Sequence, residues 1–437
     1  MQAKTAHNTA ARSVQPGFRG GKTPRKTIIR YPGLANRIAG EYSGRLSNDG
    51  ERITLIDSIN GVIADFEYND SFGWPAAADG AGHSLVPLET ALPGQPDGSL
   101  NYNGNWRQST RIHGSPGADD PEPAASLLVN EVMAHTDYPN SQLTSNDWIE
   151  LYNPTGADMA YDDRWYLSDD PTNLKKWALP AGVVPAGGWV SFDQVSGFNF
   201  GLSKEGEYVF LSYLPGTAED RVVDCLKFGG QENSISWGRF PDGDSRWFFL
   251  AAPGTRGAAN ADPIQPPVVI SEIMYHPTRD TDDDEYLELY NPTDATVNLY
   301  NQEGSWRLDS GISYIFPMQL SIPAGGRIVV VGFDPAVETA RLTAFNTTYG
   351  STLTAGTDIF GPWSGNLSNS GERIDLQEPQ DMGTWWITVD QVIYSDYSPW
   401  PVSPDGYGEA LMRLSSAPTA SGNDPANWTA APPSPGD

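Results

Sequence analysis

The side chains most able to do chemistry in this sequence are glutamates that recur at matching places. Glu131 and Glu272 lie in the similar segments LVNEVMAH and VISEIMYH, while Glu150 and Glu288 lie in WIELYNPT and YLELYNPT. Two carboxylates at one mouth, with pKa values that differ, could act as general acid and general base in hydrolysis. A glutamate present in both copies of a segment more often serves the shared fold, so we expect these four to bind backbone groups or to face solvent.

The densest acidic run is a candidate cation site. It consists of Asp280, Asp282, Asp283, Asp284 and Glu285. Carboxylate oxygens in a loop suit Ca²⁺, but the run lacks the D-x-[DN]-x-[DN]-G ligand order of the well-known calcium loop. We expect a solvated acidic loop and no metal requirement for folding, with calcium binding as the alternative.

Other patterns that carry catalysis are missing from the sequence. Its five histidines are His7, His83, His113, His135 and His276. They show neither H-x-H nor H-x-x-x-H spacing, and no G-x-S-x-G elbow or G-x-x-x-x-G-K-[ST] phosphate loop occurs. His135 and His276 recur in register just after a strand-like segment, where a role in a turn is expected. We predict no catalytic, cofactor-binding or metal-binding residue and no enzyme activity in this chain.

Aromatic residues are dense in the C-terminal part of the chain, at Trp363, Trp385, Trp386, Tyr394, Tyr397 and Trp400. Exposed rings of this kind could form a platform that binds a glycan. Packing between two sheets accounts for most tryptophans in a β-sandwich. Core packing is therefore the main expectation, and a glycan platform around Trp385 is the alternative.

The composition limits which elements can position these residues. The chain has 437 residues with Lys+Arg 27 and Asp+Glu 55, giving a formal net charge of −28. A field of that sign repels phosphate backbones, so no nucleic-acid partner is expected. No apolar run approaches the roughly 20 residues of a membrane helix, so no membrane span is predicted. Cys225 is the only cysteine, which excludes an intrachain disulfide, and no cofactor is expected.

Residues 1–39 differ from the rest of the chain because their charge is basic. The first thirty residues contain lysines and arginines but no aspartate or glutamate. A basic arm for an acidic partner is one interpretation, and a disordered tail is the favoured one. No apolar segment of a signal peptide follows these charges.

Matched segments divide the remaining chain into units. An E-[IV]-M segment, an [IL]-E-L-Y-N-P-T segment, a W-x-L segment and a PAGG turn follow one another twice. An L-S-x-x-G-E segment occurs three times, at 44–55, 201–211 and 365–376, each followed by an apolar–Asp segment containing Asp65, Asp224 or Asp390. Each copy closes with a tryptophan and a Pro-Gly. We predict a partial unit at 40–120, which has only the part after the PAGG turn, and complete units at 121–262 and 263–437.

Strand signals dominate each unit. Residues 286–290 alternate in the period-2 pattern of a half-buried strand, and turn residues recur at short intervals. Residues 335–345 are the best helical stretch and are short. The pattern predicts an all-β chain of tandem antiparallel β-sandwiches. In such repeats Glu131 should superimpose on Glu272, Asn153 on Asn291, and Gly206 on Gly371.

The order of these motifs over residues 40–437 resembles the bacterial lamin-tail domain family. The resemblance implies an immunoglobulin-like β-sandwich without catalytic residues of its own, in an extracellular or cell-envelope protein. The sequence departs from that family in two ways. Its first copy lacks the front half, and no catalytic domain accompanies the repeats.

We expect a non-enzymatic structural or adhesive array, part of a larger secreted or envelope protein, that binds an unknown protein or glycan. A carbohydrate-binding module is one alternative. Another is an accessory fragment of a secreted enzyme whose catalytic domain lies outside this chain. The partial unit should expose apolar faces and an unpaired sheet edge. We expect it to lean on its neighbour, to self-associate, or to be preceded by further sequence.

Overall fold

The computed structural model describes residues 31–34, 38, 43–70, 73–88, 98–136, 146–251, 254–279 and 281–437. The predicted tail at 1–39 falls almost entirely outside these residues. The described chain is nearly all β-structure, as predicted, and its strands pair into antiparallel sheets with one parallel pair. No helix in this part of the chain is long and apolar enough to cross a membrane.

The strands are numbered in chain order. Strands β1–β4 are Glu51–Ile56, Val62–Tyr68, Leu85–Pro87 and Trp106–Gln108. Strands β5–β15 are Leu128–Met133, Trp148–Tyr152, Met159–Tyr161, Trp165–Ser168, Trp177–Ala178, Gly182–Val184, Trp189–Asp193, Glu207–Tyr213, Arg221–Phe228, Trp237–Arg239 and Trp247–Phe249. Strands β16–β30 are Val269–Met274, Tyr286–Tyr290, Val297–Asn298, Tyr300–Asn301, Gly304–Ser305, Arg307–Ser310, Ile312–Ile315, Ser321–Ile322, Arg327–Val331, Ile359–Phe360, Ser364–Gly365, Glu372–Gln380, Trp385–Tyr394, Ala410–Arg413 and Trp428–Ala431. The α-helices of the described residues are α1, Gly98–Asn101, and α2, Thr339–Tyr349.

The described residues form two compact units. The first comprises the described part of Met1–Val129 together with Asn153–Gly187 and Tyr208–Lys227. The second comprises Asn130–Tyr152, Gly188–Glu207 and Phe228–Asp437. The repeat boundaries at 40–120, 121–262 and 263–437 stay predictions.

In the first unit, the partial repeat packs on the four-stranded sheet β13-β12-β8-β9. Ala77 and Ala81 share a buried cluster with Phe210 and Val222. Residues of the partial repeat also cover β13, which is an edge strand of that sheet. The amide of Val222 donates to His83 Nε2 at 2.9 Å, and its carbonyl accepts from Gln108 Nε2 at 2.9 Å. Side chains thus satisfy an edge that would otherwise be open to pairing.

In the second unit, residues after 263 form a sandwich of two sheets. Their strand orders are β25-β24-β17-β16-β29-β30 and β26-β22-β21-β27-β28. The amide of Ile270 in β16 donates to Asp390 Oδ2 in β28 at 2.8 Å, which joins the two sheets. A further sheet in this unit, β11-β6-β5-β14-β15, contains Glu131 and Glu150.

The expectation that 286–290 is half-buried was wrong. Tyr286, Leu287 and Leu289 are fully buried, and Glu288 is 2% exposed. One face of β17 is covered by α2, because the rings of Phe345 and Tyr349 lie 5.8 and 5.2 Å from the ring of Tyr286. The helix is displaced from its predicted position by a turn in which the amide of Glu338 donates to Asp334 O.

Matched positions make matched hydrogen bonds in the two complete repeats. Asn153 Nδ2 donates to the carbonyls of Ala157, Val184 and Pro185, and Asn291 Nδ2 donates to those of Ala295, Ile322 and Pro323. Asp224 and Asp390 also correspond, because each accepts a first-strand amide at 2.8 Å. Asp65 does not belong with them. Pairing of Glu51 with Tyr68, and of Glu372 with Tyr394, places Ala64 at the position of Asp390.

The three L-S-x-x-G-E segments form one kind of hairpin. The glutamate accepts the amide of the serine four residues earlier, at 3.0, 2.5 and 2.7 Å in Glu51, Glu207 and Glu372. The preceding glycines, Gly50, Gly206 and Gly371, have φ of +99°, +105° and +100°. A Cβ on any of them would lie within 2.5 Å of a carbonyl oxygen of the partner strand.

Replacing Gly371 with alanine should therefore destabilise the repeat strongly, by roughly 3 kcal/mol or more, since strain and a backbone clash combine. The matched control is Gly356→Ala, where φ is +75° but a Cβ meets open space. That control should cost only about 1 kcal/mol. The two variants are compared by urea unfolding of the full chain, and equal effects would contradict the role assigned to Gly371.

Candidate functional site

The glutamates singled out by the sequence form two pairs, one in each complete repeat, and each pair holds one turn of the backbone. Glu272 on β16 accepts the Tyr286 hydroxyl at 2.5 Å and the Ser434 amide at 2.9 Å. Glu288 on β17 accepts the Gly436 amide at 2.8 Å and the Ser271 hydroxyl at 2.6 Å. Antiparallel pairing puts Glu272 directly opposite Glu288, so both carboxylates reach the same turn.

The middle repeat repeats this arrangement. Glu131 accepts the Ser236 hydroxyl at 2.5 Å and the Thr255 amide at 3.1 Å. Glu150 accepts the Gly257 amide at 2.5 Å. Both glutamates are 0% exposed.

The turn that these glutamates hold is named here the closing turn. It comprises Ser115–Ala118, Thr255–Ala258 and Ser434–Asp437 in the three repeats, each closed by a hydrogen bond from the fourth residue to the first. The third residue has positive φ in all three, at +78°, +81° and +92°. The shared sequence is therefore [ST]-x-G. The prediction that every copy closes with Pro-Gly was wrong for the middle repeat, whose turn glycine is Gly257 and not the glycine of Pro-Gly at 253–254. Residue 253 lies outside the described part of the chain.

Burial raises the pKa of all four glutamates. Burial raises the pKa of Glu150 to about 8, and the hydrogen bond from the Gly257 amide lowers that pKa but does not offset the effect of burial. For Glu288 burial raises the pKa to about 7, and the Ser271 and Gly436 donors act in the opposite direction. Burial is also the largest cause for Glu131 and Glu272. Perturbed pKa values of this size occur at catalytic sites, but also in buried structural networks.

The geometry favours the structural role. A catalytic pair must reach a substrate, and these carboxyl groups are at most 2% exposed. Each carboxyl group accepts at least one amide or hydroxyl of the chain itself. We conclude that the pair ties the closing turn to the first two strands of its repeat.

Comparison with known proteins identifies the last repeat. Residues 263–391 match the profile of the Lamin Tail Domain family. These residues form a lamin tail domain, and that name is used below for the whole of the last repeat, residues 263–437. A search of the curated proteins gave no match. Among solved structures, the crystal structure of a DUF4876 family protein from Bacteroides thetaiotaomicron VPI-5482 is similar over 63% of this chain and 92% of that one, at 11% identity and a TM-score of 0.28. A TM-score this low says nothing about a shared function.

The acidic run lies in the lamin tail domain and is not simply a solvated loop. Asp283 and Asp284 form ion pairs with Arg341 and Arg279. Glu285 Oε2 accepts the Leu367 amide at 3.1 Å, and Asp284 and Glu285 are 2% and 5% exposed. Asp280 lies outside the described residues. Within the described part of the chain, no three His, Cys, Asp or Glu residues are placed to hold a metal ion.

A groove of about 380 Å³ borders this run in the lamin tail domain. Its lining includes Asp282, Asp283, Arg341, Asn366 and Trp363. Asp282 accepts a hydrogen bond from Asn366 at 3.2 Å, and Asp283 pairs with Arg341. Trp363 is only 6% exposed, so it offers no open ring face to a sugar. The groove is a small polar depression whose charged groups already bind neighbouring side chains.

The aromatic cluster of the lamin tail domain is mostly core. Trp363 and Trp385 are each 6% exposed, and Tyr394 and Trp400 are each 2% exposed. Trp385 packs against the ring of His135 at 5.8 Å, and Trp386 is half-buried under the Arg307 guanidinium at 4.0 Å. The sequence shows how many rings lie in this segment but not how far each is buried, because burial depends on distant residues such as His135 and Arg307.

The remaining candidates hold turns or fill the core. His135 Nδ1 bonds to the carbonyl of Gln231 at 2.8 Å, and His276 Nδ1 bonds to Asp405 at 2.5 Å. Cys225 lies in β13 and packs beside the Ala77 cluster. None of these contacts suggests a reaction.

Proposed function

We propose that this chain is a non-enzymatic structural or adhesive array of lamin-tail-like repeats within a larger secreted or cell-envelope protein. The observation that supports it is the use of the four buried glutamates. They are the groups best suited to acid–base chemistry, and they bind the closing turn instead. The extracellular setting rests on the family resemblance.

An array of this kind acts through the surfaces that it displays. In the partial repeat, apolar side chains remain exposed on strands whose counterparts are buried in the complete repeats, as with Leu55 at 43%. An exposed apolar face of this kind is typical of a surface that binds protein. We therefore favour a polypeptide ligand over a glycan, because the rings proposed for glycan binding are largely covered.

The full chain should show neither turnover nor saturable glycan binding. The test exposes it to nitrophenyl glycosides, esters, phosphates and casein, and to a glycan array. Turnover that is lost in Glu288→Gln, while Glu205→Gln retains it, would overturn the non-enzymatic proposal. Saturable glycan binding that is lost in Trp386→Ala would replace it with the carbohydrate-binding alternative. Glu205 is an exposed glutamate and Trp386 is a half-buried ring of the cluster, so both variants should fold.

A further inference from the structure

The partial repeat is built as the back half of a complete repeat. The Tyr68 hydroxyl donates to Ser47 O at 2.7 Å, as the Tyr394 hydroxyl donates to Ser368 O at 2.8 Å. Asn101 accepts the amide of Glu67 at 2.9 Å, and Asn423 accepts that of Ile393 at 2.9 Å. These matches allow each position of the partial repeat to be compared with a position whose neighbours are known.

Leucines of the partial repeat are exposed at positions where the equivalent leucines of the complete repeats are buried. Leu46 is 56% exposed, whereas Leu202 and Leu367 in the same hairpin position are 6% and 3% exposed. Leu55 is 43% exposed, whereas its counterparts Leu211 and Leu376 are fully buried. Burying both leucines would remove apolar surface from water and so stabilise a complex with a partner that covers this face.

In the part of the chain that the structure describes, no strand pairs with the edge of β1 where the other repeats have one. Strand β12 pairs with β8 and β27 pairs with β21, placing Leu211 opposite Leu167 and Leu376 opposite Leu308. Leu167 and Leu308 are the leucines of the W-x-L segment. Among the described residues, β1 pairs only with β2. An incoming W-x-L strand would place its leucine opposite Leu55.

Strand β3 is arranged like a strand that receives the E-[IV]-M segment. It pairs with β4 in the register of β29 with β30, so that Val86 corresponds to Met412. In the lamin tail domain, Met412 lies opposite Glu272 of β16. Within the described residues, β3 has β4 as its one partner strand.

The closing turn at Ser115–Ala118 is formed in the partial repeat, where the amide of Ala118 donates to Ser115 O at 3.1 Å. In the complete repeats the amide of its first residue, Thr255 or Ser434, binds the glutamate of the E-[IV]-M strand. The hydroxyls of Thr255 and Ser434 also donate to that glutamate, whereas in the partial repeat the Ser115 hydroxyl donates to Asp120 at 2.9 Å. In the partial repeat, Ala64 takes the place of the aspartate that accepts an amide of the first strand in the complete repeats. A bound strand would therefore be held by the closing turn and by the edges of β1 and β3.

We propose that the partial repeat binds a partner polypeptide carrying the front half of a lamin-tail-like repeat. The partner adds an E-[IV]-M strand beside β3, with its glutamate on the Ser115 amide, and a W-x-L strand beside β1. Strand addition of this kind uses backbone hydrogen bonds for affinity and side-chain pockets for selectivity. The inference rests on the proposed function, because it names the polypeptide that the array would bind.

The test uses the full chain and two fluorescent peptides that copy residues 267–276 and 303–311. We expect saturable binding of both peptides by fluorescence anisotropy. Replacing the glutamate of the first peptide with glutamine should weaken its binding about tenfold, through loss of a charge-assisted hydrogen bond. Leu55→Glu in the chain should abolish binding of the second peptide. The control is Leu414→Glu, at a leucine that is 61% exposed in the lamin tail domain.

The outcomes are separable from those of the activity and glycan tests. Absence of saturable binding, or binding that Leu55→Glu leaves unchanged, would overturn the inference while leaving the non-enzymatic proposal intact. A dimer of the full chain that dissociates in Leu55→Glu would assign the surface to a second copy and also overturn it. Binding that appears only after removal of residues 1–42 would assign the surface to the chain's own N-terminal segment, with the same consequence.

Discussion

Replacing Glu272 with alanine should lower the free energy of unfolding of the lamin tail domain by about 3–5 kcal/mol. The substitution leaves the buried Tyr286 hydroxyl and the Ser434 amide without their acceptor, and each unsatisfied buried group costs about 1–3 kcal/mol. It also empties a fully buried site between β16 and the closing turn. The effect should appear as an earlier urea transition of the full chain.

Two control variants show whether the lost stability comes from the hydrogen bonds of Glu272 or merely from removing a carboxylate. Glu272→Gln keeps an acceptor for the Tyr286 hydroxyl, so it should cost much less than the alanine variant. Glu205→Ala removes an exposed glutamate and should change stability by no more than about 0.5 kcal/mol. If Glu272→Ala also fell in that range, the closing turn would not be held as described.

Stability should fall as the pH rises from 6 to 8.5. Burial raises the pKa of Glu150 to about 8 and that of Glu288 to about 7, from an ordinary value of 4.5. The folded state therefore keeps protons that the unfolded state has already lost, and the stability they contribute disappears as pH passes through the folded values. At about 1.4 kcal/mol per pKa unit, the loss is about 3 kcal/mol through Glu150 and about 1 kcal/mol through Glu288.

Glutamine variants assign this pH dependence. Glu150→Gln and Glu288→Gln cannot titrate, so each should flatten the part of the profile that its carboxyl group produces. His83 has the opposite sign, because burial lowers its pKa and the stability it contributes is lost as pH falls. Working above pH 6 limits its contribution to the profile. A melting temperature that stays level or rises from pH 6 to 8.5 would contradict the buried, protonated state of these glutamates.

The repeats and their strands were predictable because period-2 patterns and turn residues are local. The L-S-x-x-G-E hairpin is an example, since the serine amide and the glutamate of each copy lie four residues apart. The partner of Glu272 was not predictable, because Ser434 is 162 residues away in sequence. The sequence around Ser434 does not show that its amide donates a hydrogen bond to a glutamate on a distant strand.

Three further features depend on contacts that short sequence segments do not show. Strand β17 is buried on both faces because α2 packs on it, and a period-2 pattern cannot show what lies above a strand. Asp65 was matched one position out of register because short segments were aligned on their aspartates, whereas the hairpin pairing places Ala64 opposite Leu55 and Asp390 opposite Leu376. The side chains that cover β13 come from His83 and Gln108, which are more than a hundred residues away from it.

The closing turn has a consequence for the order in which a repeat can be completed during synthesis. Glu272 and Glu288 leave the ribosome early, but the amides they bind belong to residues 162 and 148 positions later. Until those residues emerge, burying the two carboxyl groups would leave them without their backbone donors. A nascent lamin tail domain should thus stay open or loosely packed until its final turn is made. The closing turn therefore allows Glu272 and Glu288 to become buried only after the whole repeat has been synthesised.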